Sequence, residues 1–295
     1  DVAPDGRVLM TQDLTRGYTF GAAMAEATER DLSWLDRSIG IDLSEDGRLL
    51  LLGEIGAGGG ETGSAYLRRM DGSPAVRLGE GQPAALSPDG KWAIVNNQGS
   101  PERLVLLPIA PGETQTLQNG GIVDFYTVRF LPDSRHIVLV GIAPGQGRNP
   151  YRQDTRTRSA PLPWHAPLWG TAFFPDGRYV ARKDRQYYVF AMDGAPLQPV
   201  PNIANGELVI QTAADGQSVF VLDRSAGPTM TMTIDRVDLS TGLRTRWKDV
   251  VIRDLTGVMY THPGFIPFLM THDGSTYVYN YTRVLSTLWV VENLR

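Results

Sequence analysis

The sequence contains no cysteine. This excludes disulfides, thiolate catalysis and thiolate-held zinc or iron–sulfur centres, and it leaves the compartment open. Long apolar runs are also missing. The strongest, at 49–52 and 137–140, fall far short of the ~20 residues a membrane helix needs. Histidine is scarce: His136, His165, His262 and His272 are the only four, and none forms H-E-x-x-H or a close pair. Basic runs are absent, and 28 basic against 32 acidic side chains give a net charge of −4, so nothing points to nucleic acid. No secretory leader opens the chain, which begins at Asp1 without a methionine and reads as a processed product or a fragment.

What is present is turn chemistry on an ordinary globular background. The 295 residues are 42% hydrophobic and 20% charged, which rules out intrinsic disorder, and they include 32 Gly and 20 Pro. Asp-Gly or a close variant recurs with an apolar run directly behind it: Asp5-Gly6, Asp46-Gly47, Asp89-Gly90, Asp133-Ser134, Asp176-Gly177, Asp215-Gly216 and Asp273-Gly274. The intervals are 41, 43, 44, 43, 39 and 58 residues, and five of the six match a four-stranded propeller blade. Asp-Gly supplies the positive φ of a tight hairpin, and β-branched or aromatic residues follow where a half-buried strand belongs. A second set of turns, Asp71-Gly72, Pro111-Gly112, Asp193-Gly194 and Thr241-Gly242, marks the third-to-fourth-strand connection. One repeat reads as strands at 82–87, 91–96, 103–108 and 113–117.

The expectation is therefore an all-β protein. It is a single β-propeller domain over residues 1–295, built of four-stranded antiparallel blades. Seven turns favour seven blades, with six or eight as alternatives, and residues 248–267 are the main insertion. The stretch 22–30 favours helix by propensity, whereas the repeat makes it a third strand and a loop.

The segment Leu86-Ser87-Pro88-Asp89-Gly90-Lys91-Trp92 resembles the WD40-like, TolB-type Pro-Asp-Gly propeller repeat. Residues 29–36, 66–81 and 273–286 resemble the C-terminal propeller of certain bacterial transmembrane serine/threonine kinases, and related stand-alone propellers. The resemblance covers nearly the whole chain. It implies an extracytoplasmic (periplasmic) propeller that acts as a sensor or as an accessory subunit of a membrane-associated complex. This chain shows neither the kinase domain nor the membrane helix of those receptors. The family carries a further strand-rich segment before the position of Asp1, and the last blade here reads as ending after its third strand.

No catalytic motif emerges. Gly58–Gly63 spells G-x-G-x-x-G, but residues 65–68 read as a strand, so no helix N-terminus is there to meet a pyrophosphate. No G-x-S-x-G nucleophile elbow occurs. The Asp of each Asp-Gly reads as a turn former. His136 reads as a packed or half-exposed strand residue, and His165 and His272 as exposed beside turns. Trp92 and Trp289 read as core between blades, and Tyr277, Tyr279 and Tyr281 share one strand face.

In propellers, the second-to-third-strand and fourth-to-first-strand loops line one end of the channel. The candidate rim residues there are Trp34, Glu54, Arg148, Trp164, His165, Trp169, Lys183, Arg185 and Arg224, aromatic or charged groups in loops carried by a rigid scaffold. For Trp164 the competing reading is a Pro-rigid loop packing its own ring. The functional expectation is a non-enzymatic binding or scaffold module, without cofactor or metal, that takes a protein partner or a small ligand on this rim. The alternative is a lactonase-like or glycan-active propeller hydrolase with an axial acidic or metal site. A purely structural subunit is the third reading.

Overall fold

The computed structural model describes residues 7–26, 28–99, 101–157, 159–165, 167–168, 171–223, 231–259 and 268–291. Every regular element among them is a β-strand; in the stretch that propensity favours as helix, the described residues are the end of Val8–Ala23, a turn, and the start of Arg30–Asp31. The strands form six antiparallel blades. Blade 1 runs from the inner strand Ser38–Leu43 through Leu49–Gly56 and Gly60–Arg69 to the outer Val76–Glu80. Blade 2 is Gln82–Leu86, Trp92–Asn97, Arg103–Pro108 and Gln115–Thr116. Blade 3 is Asp124–Phe130, His136–Ile142, Arg148–Asp154 and Leu162–Pro163. Blade 4 is Ala172–Phe173, Tyr179–Lys183, Gln186–Phe190 and Pro196–Pro199. Blade 5 is Leu208–Thr212, Ser218–Asp223, Thr231–Asp238 and Arg244–Val251.

The turn repeat builds these blades because each copy closes in the same way. The residue after the Asp donates its N–H to the carbonyl three positions back in all six described copies, at 2.8–3.0 Å. The Asp carboxylate accepts the N–H two residues on, at 2.9–3.2 Å. This side-chain mimicry of a turn is what Asp offers. Position two of the pair sits at positive φ, between 66° and 92° at the glycines. Ser134 adopts 54° without that freedom, and its hydroxyl accepts the Asp89 N–H of the neighbouring blade's turn at 3.0 Å.

The blade count is six, not seven. Asp5-Gly6 lies outside the described residues, and Val8–Ala23 does not open a blade. It pairs along its whole length with Thr276–Val291. Blade 6 thus takes its two inner strands, Phe268–Met270 and Thr276–Val291, from the C-terminal end of the chain. Its two outer strands, Val8–Ala23 and Arg30–Asp31, come from the N-terminal end. The apparent three-stranded last blade and the surplus first turn are two halves of one closure. Lys248 belongs to the outer strand of blade 5, so the additional chain begins after Val251. Val258–Met259 from it pairs beside the C-terminal strand, and 260–267 lies outside the described residues.

The core lies between blades, since a four-stranded sheet buries each face only against a neighbour. Tyr277, Tyr279 and Tyr281 pack from blade 6 onto Ile210, Phe220, Leu222 and Met232 of blade 5. Trp92 packs half-buried against the cluster between blades 2 and 3, as its strand position implied. Trp289 does not: it is 53% exposed, beyond the end of the blade on an extension of its strand. Apolar alternation alone does not distinguish a strand inside a blade from one that outruns it.

Candidate functional site: the axial channel and its rim

The inner strands surround the axis, where two cavities meet at Ile41 and Arg129. Counting four residues back from each turn Asp gives equivalent inner-strand positions, of which Asp42, Arg129, Ala172, Gln211 and Leu269 line the axial cavity while Ala85 is buried between blades 2 and 3. Three of these are polar, and each binds backbone. Leu86 N–H donates to Asp42 Oδ2 at 2.9 Å, across to the next blade, and Leu43 N–H donates to Oδ1 at 3.0 Å. Gln211 Nε2 donates to the Met270 carbonyl of the next blade at 3.0 Å while its Oε1 accepts the Thr212 N–H at 2.9 Å. Arg129 Nη1 donates to the Ala84 and Val128 carbonyls, each at 3.1 Å. Inner strands are sheet edges, so their backbone groups need partners, and these side chains supply them. Burial pushes the Asp42 carboxyl above its usual range, against the opposing pull of Arg129 and the two N–H donors.

The channel mouth on the rim side is lined by Gln82, Asn96, Tyr126 and Thr127, with Arg129 below. Glu102 Oε2 accepts from Asn96 Nδ2 at 2.7 Å and from Phe125 N–H at 2.9 Å, tying a blade 2 loop to the inner strand of blade 3. The pairing of that strand shifts register between Phe125 and Thr127, so Tyr126 is the extra residue of a bulge. A bulge re-aims its side chain. The Tyr126 ring is 44% exposed, its hydroxyl donates to Asp124 Oδ2 at 2.6 Å, and the Arg148 guanidinium lies 3.8 Å from its centroid. A face-on cation at this distance is a cation–π pair. Arg148 is among the rim candidates named from the sequence; Tyr126 is not, because a bulge leaves no signature in an otherwise alternating strand.

The other rim candidates are distributed among different roles. Trp34 is 38% exposed with the Arg68 guanidinium 5.5 Å from its ring. Glu54 is not a rim group open to ligand. It is 1% exposed, and its Oε1 accepts from Ser38 Oγ and from Leu35 N–H, folding the 33–38 loop over it. Burial raises its pKa, and its Oε2 has no partner. Trp164 is 9% exposed and packs 5.6 Å from the Tyr179 ring of blade 4, as part of the core between blades 3 and 4. His165 beside it is exposed. Lys183 and Arg185 are exposed on a two-residue hairpin whose centre, Asp184-Arg185, holds φ of 50° and 68°. Trp169 and Arg224 lie outside the described residues. The remaining histidines are structural where described. His136 Nδ1 meets Asp133 Oδ2 at 2.6 Å, and His272, half-buried rather than exposed, holds the Thr212 carbonyl at 2.8 Å. Among the described residues no three His, Asp or Glu side chains converge as a metal would need, and no helix is long and apolar enough to cross a membrane. The G-x-G-x-x-G segment is a hairpin running directly into the strand Gly60–Arg69.

No family model and no curated protein matches the sequence. Solved structures do match the fold. A protein described as a TolB from Agrobacterium tumefaciens is similar over 92% of this chain and 99% of its own, with a TM-score of 0.60 and 17% identity. An oligogalacturonate lyase in complex with manganese is similar over 90% of this chain and 79% of its own (TM-score 0.53, 18% identity). An oligogalacturonate lyase from Vibrio parahaemolyticus is similar over 92% and 78% (TM-score 0.52, 15% identity). At these identities the likeness is one of fold, and the TolB-type propeller that the repeat resembled is the fold the chain has.

Proposed function

We propose that this propeller is a binding module, set outside the cytoplasmic membrane, that receives a protein segment or a small ligand at the mouth lined by Gln82, Asn96 and Tyr126. It serves there as a sensor or as an accessory subunit of a membrane-associated complex. One observation carries the reading. The axial polar groups hold neighbouring inner strands together, while the aromatic Tyr126 is turned by a bulge into the open mouth beneath Arg148. An exposed aromatic paired with Arg on a stiff scaffold is the composition of an interface anchor.

The competing reading is a glycan-active enzyme, drawn from the likeness in fold to the oligogalacturonate lyases. Both readings are tested with one protein preparation. Cross-linking in native membranes is expected to recover a defined partner with the wild-type chain and to lose it with Tyr126→Ala. Turnover of oligogalacturonate or lactone substrates by the purified chain with manganese added would overturn the binding reading.

A further inference from the structure

The hairpin that turns at Asp184-Arg185 borders a cleft between blades 4 and 5. The cleft has a volume of about 390 Å³, within the ~300–1,000 Å³ of small-molecule sites. On the blade 4 side, Val180, Tyr187 and Val189 are core against Val209, Val219 and Val221 of blade 5. Arg182 stands opposite Tyr187 in the ladder, so it continues the same face. Packing alone would place an apolar residue there. Arg182 is instead half-buried in the cleft wall, and Arg185 lines the cleft from the hairpin tip. Neither guanidinium has a hydrogen-bond or ion-pair partner among the described residues.

The other wall, the connection into blade 5, is satisfied within itself. It holds one carboxylate, Glu207, and a different arginine takes it. Arg244 Nη2 and Nη1 donate to Glu207 Oε1 and Oε2 at 2.7 and 3.0 Å, and Ala204 N–H donates to Oε2 at 2.7 Å. Asn202 Nδ2 donates to the Gly242 carbonyl at 3.1 Å, and the Asn202 carbonyl accepts from Arg244 Nη1 at 3.1 Å. No described carboxylate in the cleft is left for Arg182 or Arg185. The hairpin tip is also strained. Asp184 and Arg185 sit at φ of 50° and 68°, the geometry for which tight hairpins use Asn-Gly. Glycine at 185 would relieve the backbone and remove a cation, and the chain keeps the cation despite the strain.

We propose that this cleft binds a small organic anion. Its carboxylate or phosphate lies between Arg182 and Arg185, since a guanidinium fork meets two oxygens of such a group at once. Its apolar body rests on Pro199, Pro201 and Ile203 across the cleft. Half-burial reduces the screening of Arg182 by water, so this residue gives the anion its strongest contact. The cleft lies between blades 4 and 5, apart from the mouth at Gln82, Asn96 and Tyr126, and its occupant is independent of what the mouth receives.

The test is an NMR titration of the isotope-labelled chain with benzoate, phenyl phosphate and the neutral benzamide at constant ionic strength. At least one of the two anions is expected to shift the amide signals of residues 182–187 and 199–207 saturably, with a Kd of about 1 mM or tighter. The tighter of the two identifies the oxyanion. Benzamide is expected to bind about tenfold more weakly or worse. Arg182→Gln and Arg185→Gly are each expected to weaken the anion by about tenfold or more. The melting temperature of Arg185→Gly is expected not to fall, because glycine takes positive φ freely. Arg156→Gln, which removes an exposed cation of blade 3, leaves the affinity unchanged. The spectrum of each variant establishes folding. A folded wild type that binds neither anion by about 10 mM, benzamide bound as well as benzoate, or affinity kept in both the Arg182 and Arg185 variants overturns the proposal.

Discussion

Glu54 shows how a residue that reads as a rim charge becomes a stability element. It sits at the end of Leu49–Gly56 with the 33–38 loop closed over it, 1% exposed, and one of its oxygens has no partner. Desolvation raises its pKa despite the Ser38 and Leu35 donors. A carboxyl raised on folding contributes stability that is full below its unfolded pKa and is lost as pH rises through its folded value. Glu54→Gln removes the charge while keeping the shape. It is expected to stabilise the fold at pH 7–8 by on the order of 1 kcal/mol. Thermal melts against pH check this: the gain vanishes once the pH falls below the ordinary carboxyl range, where wild-type Glu54 is itself neutral.

At the scale of the element, the turns carry the opposite pH dependence. Asp46, Asp89, Asp133, Asp176, Asp215 and Asp273, the described Asp residues of the first turn set, have lowered pKa values. At Asp46 and Asp176 the largest cause is a side-chain hydrogen bond, from Ser44 and Arg178 respectively. Asp238, before the Thr241-Gly242 turn, is held at about 2, first by Ser240 Oγ and then by the Thr241 N–H and hydroxyl. Asp254, beside the long C-terminal strand Thr276–Val291, is also held at about 2, by the Thr256 N–H and hydroxyl and then by Arg283. A depressed carboxyl contributes stability above its unfolded pKa and loses it as pH falls through the folded one. The protein is therefore expected to weaken steeply between about pH 4 and pH 2. Asp238→Asn is expected to flatten that limb in circular dichroism melts by lowering the neutral-pH plateau toward the acid value, with little change at pH 2. These turns were legible in the sequence, because Asp-Gly encodes its own local conformation. The Tyr126 bulge was not, since what ejects that ring is the register imposed by the partner strand His136–Ile142.

For the whole molecule, stability depends on joining the two ends of the chain. Phe20 from the N-terminal strand stacks on Tyr279 and Tyr281 of the C-terminal strand, with ring centroids 6.0 and 5.9 Å apart. Glu29 accepts the Tyr277 and Tyr279 hydroxyls at 2.7 and 2.8 Å. Asn280 Nδ2 donates to the Gly40 carbonyl at 2.9 Å, and its Oδ1 accepts the Gly40 N–H at 2.8 Å, locking blade 6 to blade 1. Phe20→Ala cuts one of these sutures. It is expected to cost about 2–3 kcal/mol, read by chemical denaturation, with earlier protease nicking of residues 8–20 than elsewhere.

Local chemistry settled much of this protein before any tertiary contact was considered. The turn spacing, the blade length and the strand content all follow from groups within one repeat of each other. The number of blades, the closure of the ring by opposite ends of the chain and the exposure of Trp289 depend on residues hundreds of positions apart, and the burial of Glu54 depends on the 33–38 loop folding over it. An apolar β-strand has the same alternating pattern whether a neighbouring blade covers it or solvent does, so only the assembled ring decides which of its faces is core.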